Sequence, residues 1–281
     1  MVQVQERPAL RRGLGADRRA VWSLTAAAVL CQIPYPLVSG PWREALTVAG
    51  VVVFCVASLS AAALRHGVRG PLALFAAAGL GGLAVEAVGV RTGFPFGAYH
   101  YTGTPGPSVT GVPVVVPLAW MMMAWPALEA GRALAGGRKR AGTPAVRVRT
   151  AVVGGWALAS WDVFLDPQMV DAGYWVWSDP SPALPGVEGV PLTNFAGWMA
   201  VSVAMVAAVD AVSRRSAGRP AGSGTTGSPA VVLYLWTYAS SVTACLVFFG
   251  RPQVAMVGGA LMGLVAVPLA LRAAGAAGRR V

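Results

Sequence analysis

Charged residues are scarce in this sequence, and so are the residue types that build metal sites and disulfide frameworks. Only 12% of the 281 residues are charged, whereas 56% are hydrophobic. The three cysteines, Cys31, Cys55 and Cys245, lie in apolar stretches without a CxxC spacing, which is typical of small packing residues. The two histidines, His66 and His100, form no cluster with cysteines, so a zinc site built by the protein is not expected.

The motifs of several soluble enzyme classes are also missing. The sequence contains no glycine-rich phosphate-binding loop and no serine in a nucleophile elbow followed by the other members of a triad. Soluble globular domains also carry about 25% charged residues, roughly twice the share found in this chain. The composition therefore argues against a soluble enzyme and turns attention to the apolar runs.

Eight apolar runs divide the sequence, most of them close to the roughly 20 residues that a helix needs to cross a bilayer. They predict an all-α, polytopic integral membrane helical bundle with about eight transmembrane helices. A signal peptide has a shorter apolar region of about 7–15 residues, so we expect the first run to be a retained span. The runs cover residues 20–38, 45–64, 71–90, 112–134, 150–170, 192–212, 230–250 and 253–271.

The basic residues are distributed unevenly between the predicted loops. With a cytoplasmic N-terminus and eight spans, only Arg43, Arg91 and Arg251 of the 22 Lys and Arg residues fall outside. This bias follows the positive-inside rule and predicts a multi-pass protein of the cell membrane with both termini in the cytoplasm. It also explains the net charge of +11 without a nucleic-acid partner, because the charge is spread over several loops. The lipid bilayer is the expected partner.

The same topology predicts how the chain is divided. We expect one transmembrane domain over residues 20–271, preceded by a basic cytoplasmic tail over residues 1–19. Two cytoplasmic linkers are expected within the domain, at residues 136–149 and 214–229, the second rich in glycine and serine. Residues 272–281 form a second cytoplasmic tail.

Two aspartates lie inside the fifth apolar run. Asp162 and Asp166 are four residues apart, a spacing that puts both side chains on one face of a helix. Pro167 disfavours the α conformation for the residue before it, so we expect the helix to end at this point. Ionisable groups inside a membrane are costly and indicate function by default. Glu86, near the outer end of the third run, is a further carboxyl group of this kind.

Other polar and aromatic residues are predicted at the same outer depth. Each of these residues also has a structural interpretation. Single tyrosines and tryptophans are common in the aromatic belts at membrane interfaces, and Glu86 and Arg91 would form a structural ion pair. Glu129 and Asp210 lie nearer the cytoplasmic ends and belong to a separate layer. The outer group comprises Glu86, Arg91, Tyr99, His100, Tyr101, Asp162, Asp166, Tyr174, Trp175, Asn194 and Trp198.

Carboxyl groups among aromatic side chains suit acid-initiated chemistry on an apolar alkene. Removal from water favours the protonated form of a carboxyl group, which is then able to act as a general acid. Aromatic faces stabilise a cation. These properties predict protonation of a double bond, a tertiary carbocation, and then addition of water or closure of a ring. The substrate would be soluble in lipid and would enter sideways from the bilayer.

Four sequence blocks carry a resemblance to a known family. They are EAVGVRTGFPFGAYHYT (86–102), GVPVVVPLAW (111–120), SWDVFLDPQMVDAGYWVW (160–177) and GVPLTNFAGW (189–198). Their order and spacing resemble the carotenoid-biosynthesis membrane proteins that include the carotenoid 1,2-hydratases and bisanhydrobacterioruberin hydratase. The resemblance implies cofactor-independent addition of water to the terminal double bond of an acyclic carotenoid, giving a tertiary alcohol. It implies a substrate such as lycopene, γ-carotene or a C50 bacterioruberin precursor, and leaves open an association with other carotenoid enzymes.

We assign hypothetical roles from the residues themselves. Asp162 or Asp166 donates the proton, and Glu86, with His100 or Asn194, positions and deprotonates the attacking water. Arg91 tunes Glu86. The surface around the cation and the substrate is assigned to Tyr99, Tyr101, Tyr174, Trp175 and Trp198.

Two other functions remain open from the sequence. A carotenoid cyclase, or another enzyme that handles prenyl-lipid carbocations, would begin with the same protonation and end with loss of a proton. A transporter or a non-catalytic membrane subunit would also contain intramembrane acids and broken helices. No clear repeat relates the first four spans to the last four, which argues against the transporter.

Overall fold

The computed structural model describes residues 8–136, 143–214 and 227–278, with side chains described from residue 17 onward. Parts of the predicted tails and linkers lie outside these described residues. They are residues 1–7, 137–142, 215–226 and 279–281.

Each of the eight apolar runs forms a helical segment, which confirms the predicted all-α polytopic membrane protein. The third segment is continuous but contains a π-helical stretch, Phe75–Leu80, between two α-helices, and a 3-10 turn, Tyr35–Leu37, follows the first helix. The helices are α1 (Pro8–Gln32), α2 (Gly40–His66), α3 (Arg69–Leu74), α4 (Gly81–Thr92), α5 (Val115–Ala135), α6 (Pro144–Asp171), α7 (Leu192–Arg214), α8 (Pro229–Val247) and α9 (Pro252–Ala277).

Two small antiparallel sheets lie in the loops at one end of the bundle. Strand β1 (Tyr99–Tyr101) pairs with β4 (Trp175–Trp177), and β2 (Ser108–Val109) pairs with β3 (Val112–Pro113). The β1–β4 pair joins the loop after α4 to the loop after α6, so it ties together two segments that are distant in sequence. We call this end of the bundle the outer end, following the side that the loop charges predict. None of these strands was predicted from the sequence.

The expectation that the fifth helix ends before Pro167 is wrong, because α6 continues through the proline to Asp171. A proline inside a helix removes one backbone hydrogen bond, but membrane helices tolerate it when neighbouring groups satisfy the freed backbone. Pro167 leaves the Val163 carbonyl oxygen without its usual donor, and the side-chain amide of Gln168 donates to the next carbonyl oxygen, that of Phe164, at 2.8 Å. Asp162 and Asp166 therefore lie within one uninterrupted helix.

Helices α5 and α6 lie at the centre of the bundle. Helix α6 packs against α5, α7 and α9, while α5 also packs against α2 and α8. Residues 120–131 of α5 are buried without interruption, which is typical of a helix enclosed by other helices. Within the described residues, the segments long and apolar enough to cross a membrane are Asp17–Leu37, Gly40–His66, Arg69–Thr92, Leu192–Arg214, Pro229–Val247 and Pro252–Ala277. Helices α5 and α6 fall outside that set, and they contain the buried acids Glu129, Asp162 and Asp166.

Glycines allow the central helices to approach one another closely. An ideal Cβ at Gly155 of α6 would lie 2.7 Å from the Cα of Val203 in α7. An ideal Cβ at Gly131 of α5 would lie 2.6 Å from the carbonyl oxygen of Thr150 in α6. Small residues at such crossings are characteristic of helix packing in membranes. The close α6–α7 contact sets the distance at which side chains of the two helices meet near the outer end.

A buried ion network joins α2, α5 and α7 near their inner ends, which confirms the separate layer predicted for Glu129 and Asp210. Arg132, with 6% of its side chain exposed, donates to Glu129 at 2.9 Å and pairs with Asp210 at 2.8 Å. Arg65 donates to Glu129 at 2.8 Å, and Arg214 donates to Asp210 at 2.7 Å. Each carboxylate therefore has two arginine partners.

We expect Glu129→Gln to lower the free energy of unfolding by about 3–5 kcal/mol, because it removes one charge from a buried network and leaves two arginines short of a partner. The matched control is Asp171→Asn, which breaks the Arg251–Asp171 pair at a carboxylate that is 50% exposed. That change should cost about 0–1 kcal/mol. Thermal unfolding of the purified proteins in detergent measures both. Equal, small shifts for the two variants would contradict a structural role for the inner network.

Candidate functional site

A cavity of about 530 Å³ lies in the outer half of the bundle, among α2, α4, α5, α6, α7 and α8. Its volume is within the range of about 300–1,000 Å³ that is usual for small-molecule sites. Most of its lining is apolar or aromatic. Among the described lining residues, the carboxylic acids are Glu86 and Asp166, and Asn194 contributes a side-chain amide. The cavity thus combines a large apolar volume with a few convergent polar groups.

Asn194 of α7 holds the two aspartates of α6 together. Its side-chain nitrogen donates to Asp162 Oδ2 at 2.8 Å and to Asp166 Oδ2 at 2.5 Å. Asp166 Oδ1 also accepts a hydrogen bond from the Trp175 indole at 3.1 Å. Asp162 Oδ1 is buried and has no hydrogen-bond partner among the described residues. Asp166 lines the cavity, whereas Asp162 lies behind it.

This arrangement limits the charge that the aspartate pair is able to carry. Both carboxyl groups are buried, with exposures of 2% for Asp162 and 3% for Asp166, and both contact the same amide nitrogen. Two negative charges at this separation, away from water, repel each other strongly, as in paired carboxylates that share one proton. We therefore expect the pair to hold one proton, which makes it a reservoir for acid chemistry.

Glu86 of α4 has a different environment. Its Oε2 atom accepts hydrogen bonds from the hydroxyl groups of Tyr99 and Tyr101, the latter at 2.9 Å. Its Oε1 atom accepts from the Trp120 indole at 3.0 Å. Three donors on one carboxyl group favour its ionised form. These donors oppose the effect of burial, so we expect Glu86 to give up its proton more readily than the aspartate pair.

The β1–β4 pair covers the outer side of the cavity with aromatic rings. Tyr99 lies opposite Trp177, and Tyr101 lies opposite Trp175, so all four rings point to the same face of the sheet. All four residues line the cavity. The Trp177 indole donates to the Phe96 carbonyl oxygen at 2.9 Å, which fixes the ring.

Both tyrosines of β1 remain protonated and are therefore hydrogen-bond donors. Burial is the main cause that raises the pKa of Tyr99 above its usual value, and the neighbouring Glu86 charge raises it further. The same two causes, in the same order, raise the pKa of Tyr101. At neutral pH both hydroxyl groups therefore donate to Glu86 and stabilise its negative charge.

Three tryptophans from α5, α6 and α7 form an aromatic cluster beside the carboxyl groups. The rings of Trp120 and Trp198 stack with their centroids 3.9 Å apart, and Trp161 meets Trp198 edge to face at 6.2 Å. Such ring faces attract a cation. Because the Trp120 indole also donates to Glu86, the cluster and the carboxylate belong to one site.

Two of the sequence-predicted residues are not brought into this cavity. His100 is exposed on the face of β1 opposite to Tyr99 and Tyr101, because strand side chains alternate. Arg91 is also exposed, and it makes no hydrogen bond or ion pair with the residues that the structure describes. The remaining predicted residues converge on the cavity, with Asp162 in contact through Asn194. They are Glu86, Tyr99, Tyr101, Asp166, Tyr174, Trp175, Asn194 and Trp198.

Sequence reasoning missed Trp120 as a site residue. It lies inside the fourth apolar run without a polar neighbour in the sequence, although it closes the second of the four sequence blocks. Trp161 and Trp177 lie in the third block, but nothing in the sequence assigns them a role. Their positions depend on contacts between helices and between loops, which the local sequence does not encode.

The described part of the chain offers no group of three or more His, Cys, Asp or Glu side chains close enough to hold a metal ion. The chemistry available at the cavity is that of the aspartate pair, Glu86 and the aromatic rings. These groups are able to deliver a proton, stabilise a positive charge on an apolar molecule and accept a proton.

Comparison with known proteins agrees with the resemblance seen in the sequence. Residues 45–266 match the model of a family described as carotenoid biosynthesis protein. Bisanhydrobacterioruberin hydratase from Haloarcula japonica is 33% identical to this chain over 116 residues. The aligned part is 41% of this chain and 36% of the relative. No solved structure matches the chain.

We expect infrared difference spectra to separate the two carboxyl centres at neutral pH. The double variant Asp162→Asn/Asp166→Asn should lose the carbonyl band of one protonated carboxyl group, because the pair shares a proton. Glu86→Gln should lose only bands of an ionised carboxylate, because three donors stabilise that form. Asp171→Asn, which changes an exposed carboxylate, is the control for loss of an ionised group. Loss of the protonated band in Glu86→Gln would show that Glu86 holds the proton and would contradict its assignment to the aspartate pair.

Proposed function

Because the chain belongs to the family of carotenoid biosynthesis proteins, we propose that it adds water to the terminal double bond of an acyclic carotenoid. The product is a tertiary alcohol. The observation that carries this proposal is that two carboxyl centres meet at one apolar cavity: the aspartate pair held by Asn194, and Glu86 with three hydrogen-bond donors. Its similarity to a protein named as a hydratase supports the same reaction class.

Asp166 is the proposed proton donor, since it lines the cavity and Asp162 does not. The O–H bond of the Asp166 carboxyl group breaks, and its proton forms a C–H bond with the CH carbon of the terminal double bond as the π bond breaks. The positive charge then rests on the carbon that carries the two methyl groups. Loss of this proton leaves both carboxyl groups of the pair ionised. The positive charge on the substrate and the hydrogen bonds from Asn194 and Trp175 offset this charge until a proton returns.

The ring faces of Trp120, Trp161 and Trp198, which all line the cavity, are proposed to stabilise the tertiary cation. Aromatic faces hold a cation without reacting with it, and a desolvated cation–π contact contributes about 2 kcal/mol. Glu86 accepts one proton from the attacking water as the C–O bond forms. Tyr99 and Tyr101 keep Glu86 ionised until that moment through their hydrogen bonds.

The proposed reaction is balanced by water alone. The aspartate pair loses one proton to the alkene, and Glu86 gains one from the water, so the net change is addition of H₂O. Return of a proton from Glu86 to the pair restores the starting state. A cyclase would use the same first step, but its cation would be captured by a second double bond and would then lose a proton.

Carotenoids with an acyclic end group, of the lycopene, γ-carotene or C50 bacterioruberin-precursor type, are the proposed substrates. They are soluble in lipid, and a multi-pass membrane protein would take them from the bilayer. The cell membrane is the proposed location, because the loop charges follow the positive-inside rule.

The direct test is expression of the full chain in a bacterial host that accumulates lycopene. We expect a more polar pigment heavier by one or two waters, detected by liquid chromatography and mass spectrometry. The control is the same host with the empty vector. A new pigment of unchanged mass would indicate a cyclase instead. Unchanged pigment both with lycopene and with a C50 precursor, in cells with verified membrane expression, would reject carotenoid hydration.

We expect Asp166→Asn and Glu86→Gln each to lower the hydration rate roughly 10²–10⁴-fold, the usual contribution of a general acid or base. Asp162→Asn should lower it less, because this residue does not line the cavity. Asp171→Asn lies on the same helix outside the cavity and should leave the rate near wild type. Initial rates in membranes, normalised to protein amount, give the comparison. If Asp166→Asn is active and Asp162→Asn is inactive, Asp162 is the proton donor.

A further inference from the structure

The exposed lining of the cavity is confined to one side of the bundle. Ile33 and Leu37, next to the turn after α1, are 49% and 66% exposed, and Phe248 at the end of α8 is 47% exposed. Ala239 and Thr243 of α8 are the other exposed lining residues within the described chain. The lining contributed by α4, α7, β1 and β4 is buried or half-buried. The mouth of the cavity therefore lies between the α1 segment and α8.

Two apolar segments border this mouth. Both segments that form it, Asp17–Leu37 and Pro229–Val247, are long and apolar enough to cross a membrane. The proposed catalytic carboxyl groups lie on other helices, Glu86 on α4 and the aspartate pair on α6. Helices α5 and α6 contact both α7 and α8, so they form the floor between the mouth and the carboxyl groups. Their lining includes the buried apolar residues Met122 and Phe164.

We propose that the space between the α1 segment and α8 is a chain-binding channel for a long, linear isoprenoid that enters end first from the outer half of the bilayer. This inference rests on the proposed function for the identity of the reacting end. The leading end reaches Asp166, and the rest of the chain extends through the mouth into lipid. The occupant is defined by its chemistry, which is an extended hydrocarbon without a polar group at its leading end.

A contact between aromatic rings and an arginine spans one edge of the mouth. Tyr35, in the turn after α1, meets Phe249, after α8, edge to face with ring centroids 6.2 Å apart. The Arg43 guanidinium lies 5.8 Å from the Tyr35 centroid and 5.7 Å from the Phe249 centroid. Both rings also line the cavity. We call these three residues the clasp. Movement of Tyr35 away from Phe249 would widen the mouth.

The test closes the mouth reversibly. In a background in which Cys31→Ser, Cys55→Ala and Cys245→Ala remove the native thiols, the pair Tyr35→Cys/Phe249→Cys is joined by a short bifunctional methanethiosulfonate reagent. The matched control pair, Asp171→Cys/Arg251→Cys, joins α6 to the turn before α9 at an ion pair that does not line the cavity. Full-length protein in liposomes is mixed with lycopene. Uptake is followed by the induced circular dichroism of the bound polyene, and hydration by mass spectrometry.

We expect the cross-link across the mouth to slow uptake and hydration roughly tenfold or more, as blocked access does when it gates a site. Reduction of the reagent should restore both rates, and the control pair should change neither. Undiminished uptake through a cross-link verified by mass spectrometry overturns the channel. Absence of uptake by the uncross-linked background protein overturns it as well. Uptake that the cross-link blocks, without hydrated product from any form of the protein, supports the channel and rejects the proposed reaction.

A second pair of variants avoids thiol chemistry. Ala239→Trp places a bulky ring at an exposed position of the mouth and should slow uptake in the same direction. Val267→Trp adds the same ring on α9, at a position that is 48% exposed and does not line the cavity. Equal uptake by these two variants would contradict the position of the mouth.

Discussion

The hydrogen bonds from the Asn194 amide to Asp162 and Asp166 are the constraint on which the site depends. Two carboxyl groups in the interior of a membrane protein are costly unless they are paired with hydrogen-bond donors or neutralised. One amide nitrogen with two hydrogens meets both needs, since it supplies a donor to each group and holds them close enough to share a proton. This requires α6 and α7 to pack closely, and Gly155 permits that approach against Val203.

The two carboxyl centres differ because their donors differ. Glu86 receives two tyrosine hydroxyls and one indole, whereas the aspartate pair receives one amide and one indole. Burial drives all three groups towards the protonated form, and the larger number of donors on Glu86 opposes this effect most strongly there. The short β1–β4 pair is essential to this division, because it supplies both tyrosines to Glu86 and Trp175 to Asp166. A small sheet in two loops thereby sets the chemistry of a helical bundle.

The charges of the protein are separated by depth. The arginine–carboxylate network of Arg65, Glu129, Arg132, Asp210 and Arg214 lies at the inner ends of α2, α5 and α7. No ion pair within the described residues reaches the lining of the cavity in the outer half. The cavity therefore keeps an apolar body with its ionisable groups at one end. Such a lining suits an apolar molecule that presents one reactive end to the carboxyl groups and leaves the rest in hydrocarbon.

The sequence by itself determined the helical membrane class, the family and the shared face of Asp162 and Asp166, because hydrophobic runs and a four-residue spacing are local properties. It did not determine where α6 ends, since neighbouring helices overrode the local preference at Pro167. Only the tertiary structure decided that Trp120 faces Glu86 while His100 points outward. The position of Trp120 depends on the packing of α5 against α4. The direction of His100 depends on strand alternation and on pairing between loops more than 70 residues apart, which no local pattern encodes.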